Sequence, residues 1–291
     1  MDKKLSEKEI KSLISLIDDN EVYETVFNKI VDLGDSVISF LDEEIETSLN
    51  TIKTNRLQKA YDAIVLNSCI SEIRDWKNRN PGNLFKGLTI ISRLRYPKPD
   101  LGFINKEINK IKDSLWLELN DNLTALEKVR VLNNVFFDMY KFAGDTKDFF
   151  NPQNSFLSDV LKRKKGNPIT LSALYSIVAQ SVGVPVYGVN MPRHFLVAYT
   201  DRLCVHPYEN LTKKNILFYI NPFARGEIYS LQEVYGFLNK LNIKISDEYI
   251  LPCSNLTTVK RSVNNLILIY KNRNDEKTEA GYRKILEALE E

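Results

Sequence analysis

The spacing of apolar residues in the first half of the chain is typical of amphipathic helices. A capping box from Ser6 to Glu9 opens the first helix. The apolar residues that follow it recur at i, i+3, i+4 and i+7, and are Ile10, Leu13, Ile14 and Ile17. A second capping box, Thr124 to Glu127, opens a later helix. Its apolar stripe is expected in the core and consists of Leu132, Val135, Phe136 and Met139. Residues 1–150 are therefore predicted to form an N-terminal helical region.

The pattern changes near residue 151, where the first convincing strands follow two helical segments. A helix is predicted over residues 168–182, because Pro168 suits a first helical position and Gly183 supplies a left-handed end. The β-forming runs beyond it predict strands over residues 186–189, 193–200, 203–208 and 216–220. Residues 151–230 are thus expected to form a core in which this helix packs on a small antiparallel sheet.

Helices resume after residue 230. Two apolar stripes, over residues 259–270 and 282–289, are separated by a polar turn over residues 272–276, which predicts an αα-hairpin within residues 231–291. A tetratricopeptide-like half repeat is an alternative, but one helix pair without a second copy does not indicate a repeat. The predicted fold class is α+β: mostly helical, with a small antiparallel sheet packed on a central helix.

Composition and charge restrict the classes of function. Of the 291 residues, 43% are hydrophobic and 27% charged, which is typical of globular proteins. The 40 Lys and Arg residues against 38 Asp and Glu residues leave a net charge of +2, so the chain lacks the basic surplus of a nucleic-acid-binding protein. No apolar run approaches the length of a membrane span. We therefore expect a cytoplasmic protein that binds neither nucleic acid nor a membrane.

The cysteine and histidine content indicates neither a disulfide framework nor a metal site. The cysteines are widely spaced, form no C-x-x-C motif and are Cys69, Cys204 and Cys253. This usage is typical of a reducing compartment. The two histidines, without a nearby pair of carboxylates, do not form a metal-ligand pattern. No cofactor is expected, and His206, beside Pro207, is interpreted as a residue at the rim of a site.

His194 is the candidate for imidazole chemistry. It lies at the start of the strand predicted over residues 193–200, just downstream of the helix that ends at Gly183. A helix N-terminus near such a histidine is a layout that activates a cysteine nucleophile, because the helix dipole and an imidazolium both favour the thiolate. The residues alone favour a simpler interpretation, a half-buried strand histidine satisfied by backbone groups.

Several motifs then occur in an order that one enzyme superfamily shares. They are Gly166-Asn167-Pro168, Gly183-Val184-Pro185, the PRHFLV segment around His194, Asn221-Pro222-Phe223 followed by Arg225-Gly226, residues 154–175 and residues 261–270. With these motifs the chain resembles the transglutaminase-like superfamily, and more closely its bacterial SirB-type branch, over roughly residues 70–290. The resemblance implies a helix that begins at a catalytic cysteine, a following strand that carries a catalytic histidine, and a later strand that ends at an acid.

The resemblance also locates a departure from the enzymes. Counted back from Gly183, the position of the nucleophilic cysteine is occupied by Pro168, whose ring cannot attack a carbonyl. The acid position is occupied by Asn221, which can still orient an imidazole, as in Cys-His-Asn proteases. We therefore interpret His194 and Asn221 as remnants of a triad, and the chain as a non-catalytic scaffold that binds another protein or a peptide.

An active enzyme is the alternative hypothesis. Thr170 or Ser172 would then be the nucleophile of an acyl transferase or amide hydrolase, with His194 as general base and Asn221 as its orienter. Neither hydroxyl simply replaces Pro168. Along a helix, Thr170 is displaced from it by about 200° around the axis, and Ser172 by about 40° but a full turn further on.

Three further features have ordinary structural interpretations. Cys204 is placed roughly 17 Å of strand away from His194 and is interpreted as a buried structural cysteine. The basic run Lys162 to Lys165 is interpreted as a solvated helix end, although contact with an acidic partner protein stays open. A groove lined by Tyr270 and Tyr282 would support a peptide-binding role for the hairpin. The oligomeric state is not predicted.

Overall fold

The computed structural model describes residues 5–204 and 207–291, and for residues 207 and 208 the backbone alone. The N-terminal region consists of α1 (Glu7–Ser15), α2 (Tyr23–Asp32), α3 (Ile38–Thr47), α4 (Thr51–Arg79), α5 (Leu84–Ser92), α6 (Leu101–Glu118) and α7 (Ala125–Asn133). Both predicted capping boxes are present, at Ser6 and at Thr124. Each pairs an amide that the helix itself leaves free, and so determines where the helix starts. The predicted fold class, mostly helical α+β, is confirmed.

The apolar stripe predicted for α7 ends one residue early. Its first three members are buried, but Met139 is 52% exposed, so its placement in the core is wrong. The reason is a π-helical turn over Asn134–Met139. This wider turn changes the angle between successive side chains and moves the last one off the buried face.

The central region holds a four-stranded antiparallel sheet in the order β3-β4-β5-β6 and a two-stranded parallel ladder of β1 with β2. The strands are β1 (Ala143–Gly144), β2 (Lys165–Gly166), β3 (Val186–Val189), β4 (Leu196–Thr200), β5 (Ile216–Asn221) and β6 (Glu227–Tyr229). The strands predicted over residues 186–189 and 216–220 are confirmed. β1, β2 and β6 are too short to leave a period in the sequence.

Two strand predictions need correction. The strand predicted over residues 193–200 starts only at Leu196, because Arg193 has a φ of 62° and turns the chain just before it. The strand predicted over residues 203–208 is wrong in its described part. Leu203 and Cys204 lie outside any strand, and Pro207–Asn210 is a short helix, α10. The partner of β4 is β5.

Helices cover both faces of the four-stranded sheet. The predicted central helix is α9 (Pro168–Ser181), preceded by α8 (Leu157–Arg163). It packs against the apolar side chains of one face, among them Val197 and Ile220. The opposite face, which includes Leu196 and Tyr219, packs against α11 (Leu231–Lys240). Strand alternation sends neighbouring residues to opposite faces, so the two faces form separate apolar clusters.

The predicted C-terminal hairpin is present as α12 (Asn255–Asn272) and α13 (Glu276–Glu290), and it packs on α4 and α5. Tyr282 Oη donates a hydrogen bond to the carbonyl of Ile91 at 3.2 Å. The rings of Tyr270 and Tyr282 stack 5.7 Å apart inside the core. Because both rings are buried, they cannot line a surface groove, and the expectation of a peptide-binding groove at these tyrosines is wrong. No helix among the described residues is both long and apolar enough to cross a membrane.

Candidate functional site

The N-terminus of α9 is the position to which the resemblance assigns the nucleophile. Asn167 caps this helix: its Oδ1 accepts the amide of Thr170 at 2.9 Å, and its Nδ2 donates to Ser155 Oγ at 2.9 Å. Pro168 follows as the first helical residue. Proline has no backbone N–H, but this costs no hydrogen bond at the first position, because the first amides of a helix have no acceptor within the helix. Position 168 starts the helix and offers no nucleophilic atom.

The two hydroxyls considered as substitutes lie on α9, beneath the sheet. Ser172 Oγ donates a hydrogen bond to the carbonyl of Phe195 at 3.0 Å. Thr170 Oγ1 has no hydrogen-bond partner in the described part of the chain. Both side chains are completely buried. Neither lines the cavity that contains His194.

His194 and Asn221 line one cavity of about 320 Å³ on the α11 face of the sheet. His194 lies two residues before β4, and Asn221 is the last residue of β5. The other lining residues come mainly from β6 and α11, and are Met191, Leu196, Tyr229, Glu233, Val234, Gly236, Phe237 and Lys240. The structure therefore brings the predicted histidine and asparagine to one cavity and leaves Thr170 and Ser172 outside it.

Asn221 is held in place by the turn that follows β5. Its side-chain oxygen accepts the amide of Ala224 at 3.4 Å, and its backbone carbonyl accepts the amide of Gly226 at 2.9 Å. Arg225 holds this turn in place, because its guanidinium donates to Asp138 Oδ1 at 2.6 Å. Among the described contacts, no hydrogen bond joins Asn221 to His194.

The imidazole of His194 lies in an apolar setting. Its ring meets the ring of Phe237 edge to face, with centroids 4.5 Å apart. Burial lowers the pKa of His194 below its ordinary value of 6.5, because a charged ring loses hydration in the cavity. Phe237 was not predicted as part of a site. The sequence does contain a signal for α11, the helix that carries Phe237: the capping box of Ser230 and Glu233 marks its start.

We expect His194 to titrate with a midpoint below 6.5. As the pH falls from 6.5 towards the lower pKa of the folded protein, the unfolded chain takes up the proton first, so this residue makes the folded state less stable in that window. Histidine ring resonances followed against pH measure the midpoint, and His194→Asn assigns the signal. A midpoint at or above 6.5 contradicts an apolar setting for the ring.

A polar network that the motifs did not predict surrounds the start of α9. Arg163 donates to Asp145 Oδ2 at 3.0 Å and to Asn154 Oδ1 at 2.9 Å. Ser155 Oγ accepts from Asn167 at 2.9 Å and from Asn265 of α12 at 3.2 Å. Burial favours the neutral form of Asp145, but hydrogen bonds from the Asp148 amide and from Arg163 outweigh it and lower the pKa. The network links α8, α9 and α12 around Asn167.

The basic run Lys162 to Lys165 at the end of α8, predicted to be a solvated helix end, is solvated in part: Lys162 and Lys165 are exposed, whereas Arg163 and Lys164 are half-buried. Arg163 belongs to the network just described, and Lys164 Nζ lies 3.5 Å from Glu107 and 4.8 Å from the ring centre of Phe142. Lys162 Nζ lies 5.2 Å from the ring centre of Phe103. Arg163 and Lys164 are therefore used within the fold, because each has an acidic neighbour there.

None of the cysteines, all three of which lie in the described part of the chain, lines the cavity that contains His194. Cys204 is half-buried rather than buried, its amide donates to Tyr187 Oη at 2.6 Å, and it lines a second cavity together with Cys253. His206 lies outside the described residues. Within residues 5–204 and 207–291, no cluster of three or more His, Cys, Asp or Glu side chains could bind a metal ion.

Comparisons with known proteins relate this region to one superfamily. A family model described as the transglutaminase-like superfamily matches residues 103–264. The chain is similar to a UPF0162 protein of Xylella fastidiosa, 26% identical over 191 residues that cover 64% of each protein. It is also similar to a UPF0162 protein of Vibrio cholerae, 24% identical over 53% of each.

A third relative is much longer. The chain is 35% identical to the F-box only protein 21 of Mus musculus over 107 residues, which cover 35% of this chain and 16% of that protein. In each of these three relatives the matched part spans less than two thirds of the protein. No solved structure matches the chain.

Proposed function

Because this chain belongs to the transglutaminase-like superfamily, we propose that it keeps the scaffold of those enzymes without their acyl-transfer chemistry and acts as a protein-interaction module. The observation that carries the proposal is Pro168 as the first residue of α9. Acyl transfer through a covalent intermediate needs an activated thiol, hydroxyl or amine, and a proline ring provides none. We also assign the chain to the SirB-type branch, on the motifs around Pro168 and His194.

The positions of the neighbouring hydroxyls support the loss of catalysis. A general base must come within about 3 Å of the proton that it removes. Ser172 instead donates to the carbonyl of Phe195, and Thr170 is closed off inside the core. Both lie on α9, whereas His194 faces the cavity on the α11 side of the sheet. The alternative enzyme would need one of these hydroxyls to cross the sheet.

The cavity around His194 suits the recognition of a short segment of a partner protein. Its wall is apolar at Met191, Val234 and Phe237, while Glu233 and Lys240 are exposed at its edge. Such a site accepts an apolar side chain and reads the charges beside it. Similarity to proteins as different in length as UPF0162 protein and F-box only protein 21 supports a transferable module.

One experiment tests both halves of this proposal. The wild type, His194→Ala and Phe237→Ala are treated with an electrophilic acyl probe and analysed by mass spectrometry, and the same chains are crosslinked to their neighbours in the native cell. We expect no His194-dependent acyl adduct. We expect a crosslinked partner that Phe237→Ala loses and that Leu217→Ala, which changes an exposed apolar residue outside the cavity, retains.

Two results would overturn the proposal. An adduct on Thr170 or Ser172 that disappears in His194→Ala establishes the acyl-transfer enzyme instead. A crosslinking pattern that Phe237→Ala and Leu217→Ala leave equally unchanged removes the cavity as the interaction site.

A further inference from the structure

A groove of about 410 Å³ runs between α4 and α13, and none of its described lining residues belongs to the cavity that contains His194. The two helices run parallel, because Asp62 of α4 pairs with Lys277 of α13 towards one end, and Arg74 pairs with Glu291 towards the other. The proposed function does not use this surface. We call it the α4–α13 groove.

Each helix presents one face to the groove. On α13 the residues Lys277 and Lys284 line it, and on α4 the residues Lys59 and Leu66 do so. The members of each pair are seven residues apart, and such residues lie on one helix face, two turns from each other. The two lysines of α13 are therefore about 10.5 Å apart along the helix axis.

The floor of the groove is apolar and partly open to solvent. It includes Leu66 of α4, together with Leu94 and Pro97 from the segment after α5, and all three are half-buried. A Cβ built on Gly281 of α13 would come within 2.8 Å of Leu94, so glycine lets this floor approach the helix backbone. Apolar side chains of a bound segment would complete the burial of this surface.

The rim of the groove is positive. Three exposed lysines line it, namely Lys59, Lys277 and Lys284, and the one acid in its described lining is Asp62. Both carboxylate oxygens of Asp62 already accept hydrogen bonds, one from Lys277 and one from Gln58 at 3.0 Å. Neither Lys59 nor Lys284 forms an ion pair with any described residue. Two unpaired cations thus flank an apolar floor, which is complementary to carboxylates beside apolar side chains.

From these observations we propose that the α4–α13 groove binds an amphipathic helix of a partner protein, whose apolar face carries Asp or Glu at both edges. Its apolar side chains lie on the floor at Leu66 and Leu94, as in other helix-in-groove complexes. Carboxylates seven residues apart along one edge pair with Lys277 and Lys284, because both helices have the same repeat of two turns. A carboxylate on the other edge pairs with Lys59.

Fluorescence anisotropy with labelled helical peptides tests this on the full chain. The peptides carry Leu, Ile, Phe or Met on the apolar face and Glu at both edges, and each has a counterpart with Gln in place of Glu. We expect at least one Glu peptide to bind with a Kd below about 1 mM. Its Gln counterpart should bind about tenfold more weakly, and added salt should weaken the Glu peptide, because exposed charges are screened.

Matched lysine variants locate the binding surface. The double variant Lys59→Gln and Lys284→Gln should weaken binding of the Glu peptide by about tenfold, as the loss of two exposed ion pairs does. The double variant Lys86→Gln and Lys271→Gln removes the same charge from two exposed lysines outside the groove and should change little. Equal losses in the two double variants would overturn the proposal.

Ala280→Phe blocks the groove without changing its charge. Ala280 is exposed and lines the groove, so a phenyl ring there covers the floor while the melting temperature of the free protein stays nearly the same. We expect this variant to lose the peptide. Phe237→Ala, in the cavity of His194, should keep it, which separates this proposal from the proposed function.

Three further results would overturn the proposal. One is that no Glu peptide binds with a Kd below about 1 mM, and another is that the Gln peptides or the Ala280→Phe variant bind as well. The third is a dimer of the free chain, measured by analytical ultracentrifugation, that Lys59→Gln with Lys284→Gln dissociates. The groove would then be an interface between two copies of this chain.

Discussion

Replacing Trp76 by alanine is expected to lower the free energy of unfolding by about 3–5 kcal/mol, the range for truncating a large buried aromatic side chain. Trp76 is 1% exposed and lies in the last turn of α4. Its Nε1 donates to the carbonyl of Asn83 at 2.8 Å. A Cβ built on Gly87 of α5 would come within 2.7 Å of the indole ring, so α5 packs directly on it. The substitution therefore leaves a cavity between two helices and removes one of the two hydrogen bonds that the Asn83 carbonyl accepts, the other being from the amide of Gly87.

The chain offers a matched control, because its only other tryptophan is Trp116, which is 71% exposed on α6. Trp116→Ala should change the free energy of unfolding by no more than about 0.5 kcal/mol. Urea denaturation followed by circular dichroism measures both variants without depending on tryptophan fluorescence. Equal losses for the two variants would show that Trp76 is not the packing centre of α4 and α5.

Gly226→Ala is expected to cost about 3 kcal/mol of unfolding free energy through two additive effects. Gly226 has a φ of 77°, and an alanine in this left-handed region costs about 1–2 kcal/mol. A Cβ at this position would also overlap the side chain of Asn133. Asn133 has little freedom to move, because its Oδ1 accepts from Tyr175 Oη at 2.9 Å and its Nδ2 donates to the Gly226 carbonyl at 3.0 Å. Leaving the buried Tyr175 hydroxyl unpaired costs about 1–3 kcal/mol.

Gly183→Ala isolates the first of these effects. Gly183 has a φ of 80°, but a Cβ there would meet nothing within 4 Å. It should cost only the backbone strain, about 1–2 kcal/mol. The difference between the two variants in a thermal or urea melt measures the contact with Asn133. If the two losses agree within error, Asn133 yields without cost and the steric part of the argument is wrong.

The Gly226 variant also bears on the candidate site. The amide of Gly226 donates to the carbonyl of Asn221, so movement of the turn displaces the residue that shares a cavity with His194. We expect the His194 ring resonances to shift in Gly226→Ala and to stay in place in Gly183→Ala. Stability and site geometry are thus coupled through one turn.

Local signals in the sequence located the ends of several helices. Ser6 and Thr124 marked helix starts through capping boxes, and Pro168 and Gly183 marked the limits of α9 to within one residue. Such features depend on residues a few positions apart, which the sequence shows directly. The π-helical turn that exposes Met139 interrupts the 3.6-residue period of the α-helix. A prediction that assumes this period along the whole segment cannot detect such an interruption.

Strand pairing was harder to predict, because it joins residues that are distant in the chain. The run over residues 203–208 has strand-like composition, yet β4 pairs with β5. The turn at Arg193 places His194 in a loop before β4. Neither outcome follows from propensity, since a strand gains its hydrogen bonds only from a partner that the fold brings to it.

The sequence by itself determined the helical half of the fold, the small sheet at its centre, the superfamily resemblance, and the proline at the start of α9. Each of these is a property of residue identity or of short-range spacing. The tertiary structure alone decided that His194 and Asn221 share a cavity with α11 while Thr170 and Ser172 lie beneath the opposite face. The physical reason is the two-residue period of strands together with the order in which they pair, which assign side chains to faces only once the sheet is assembled.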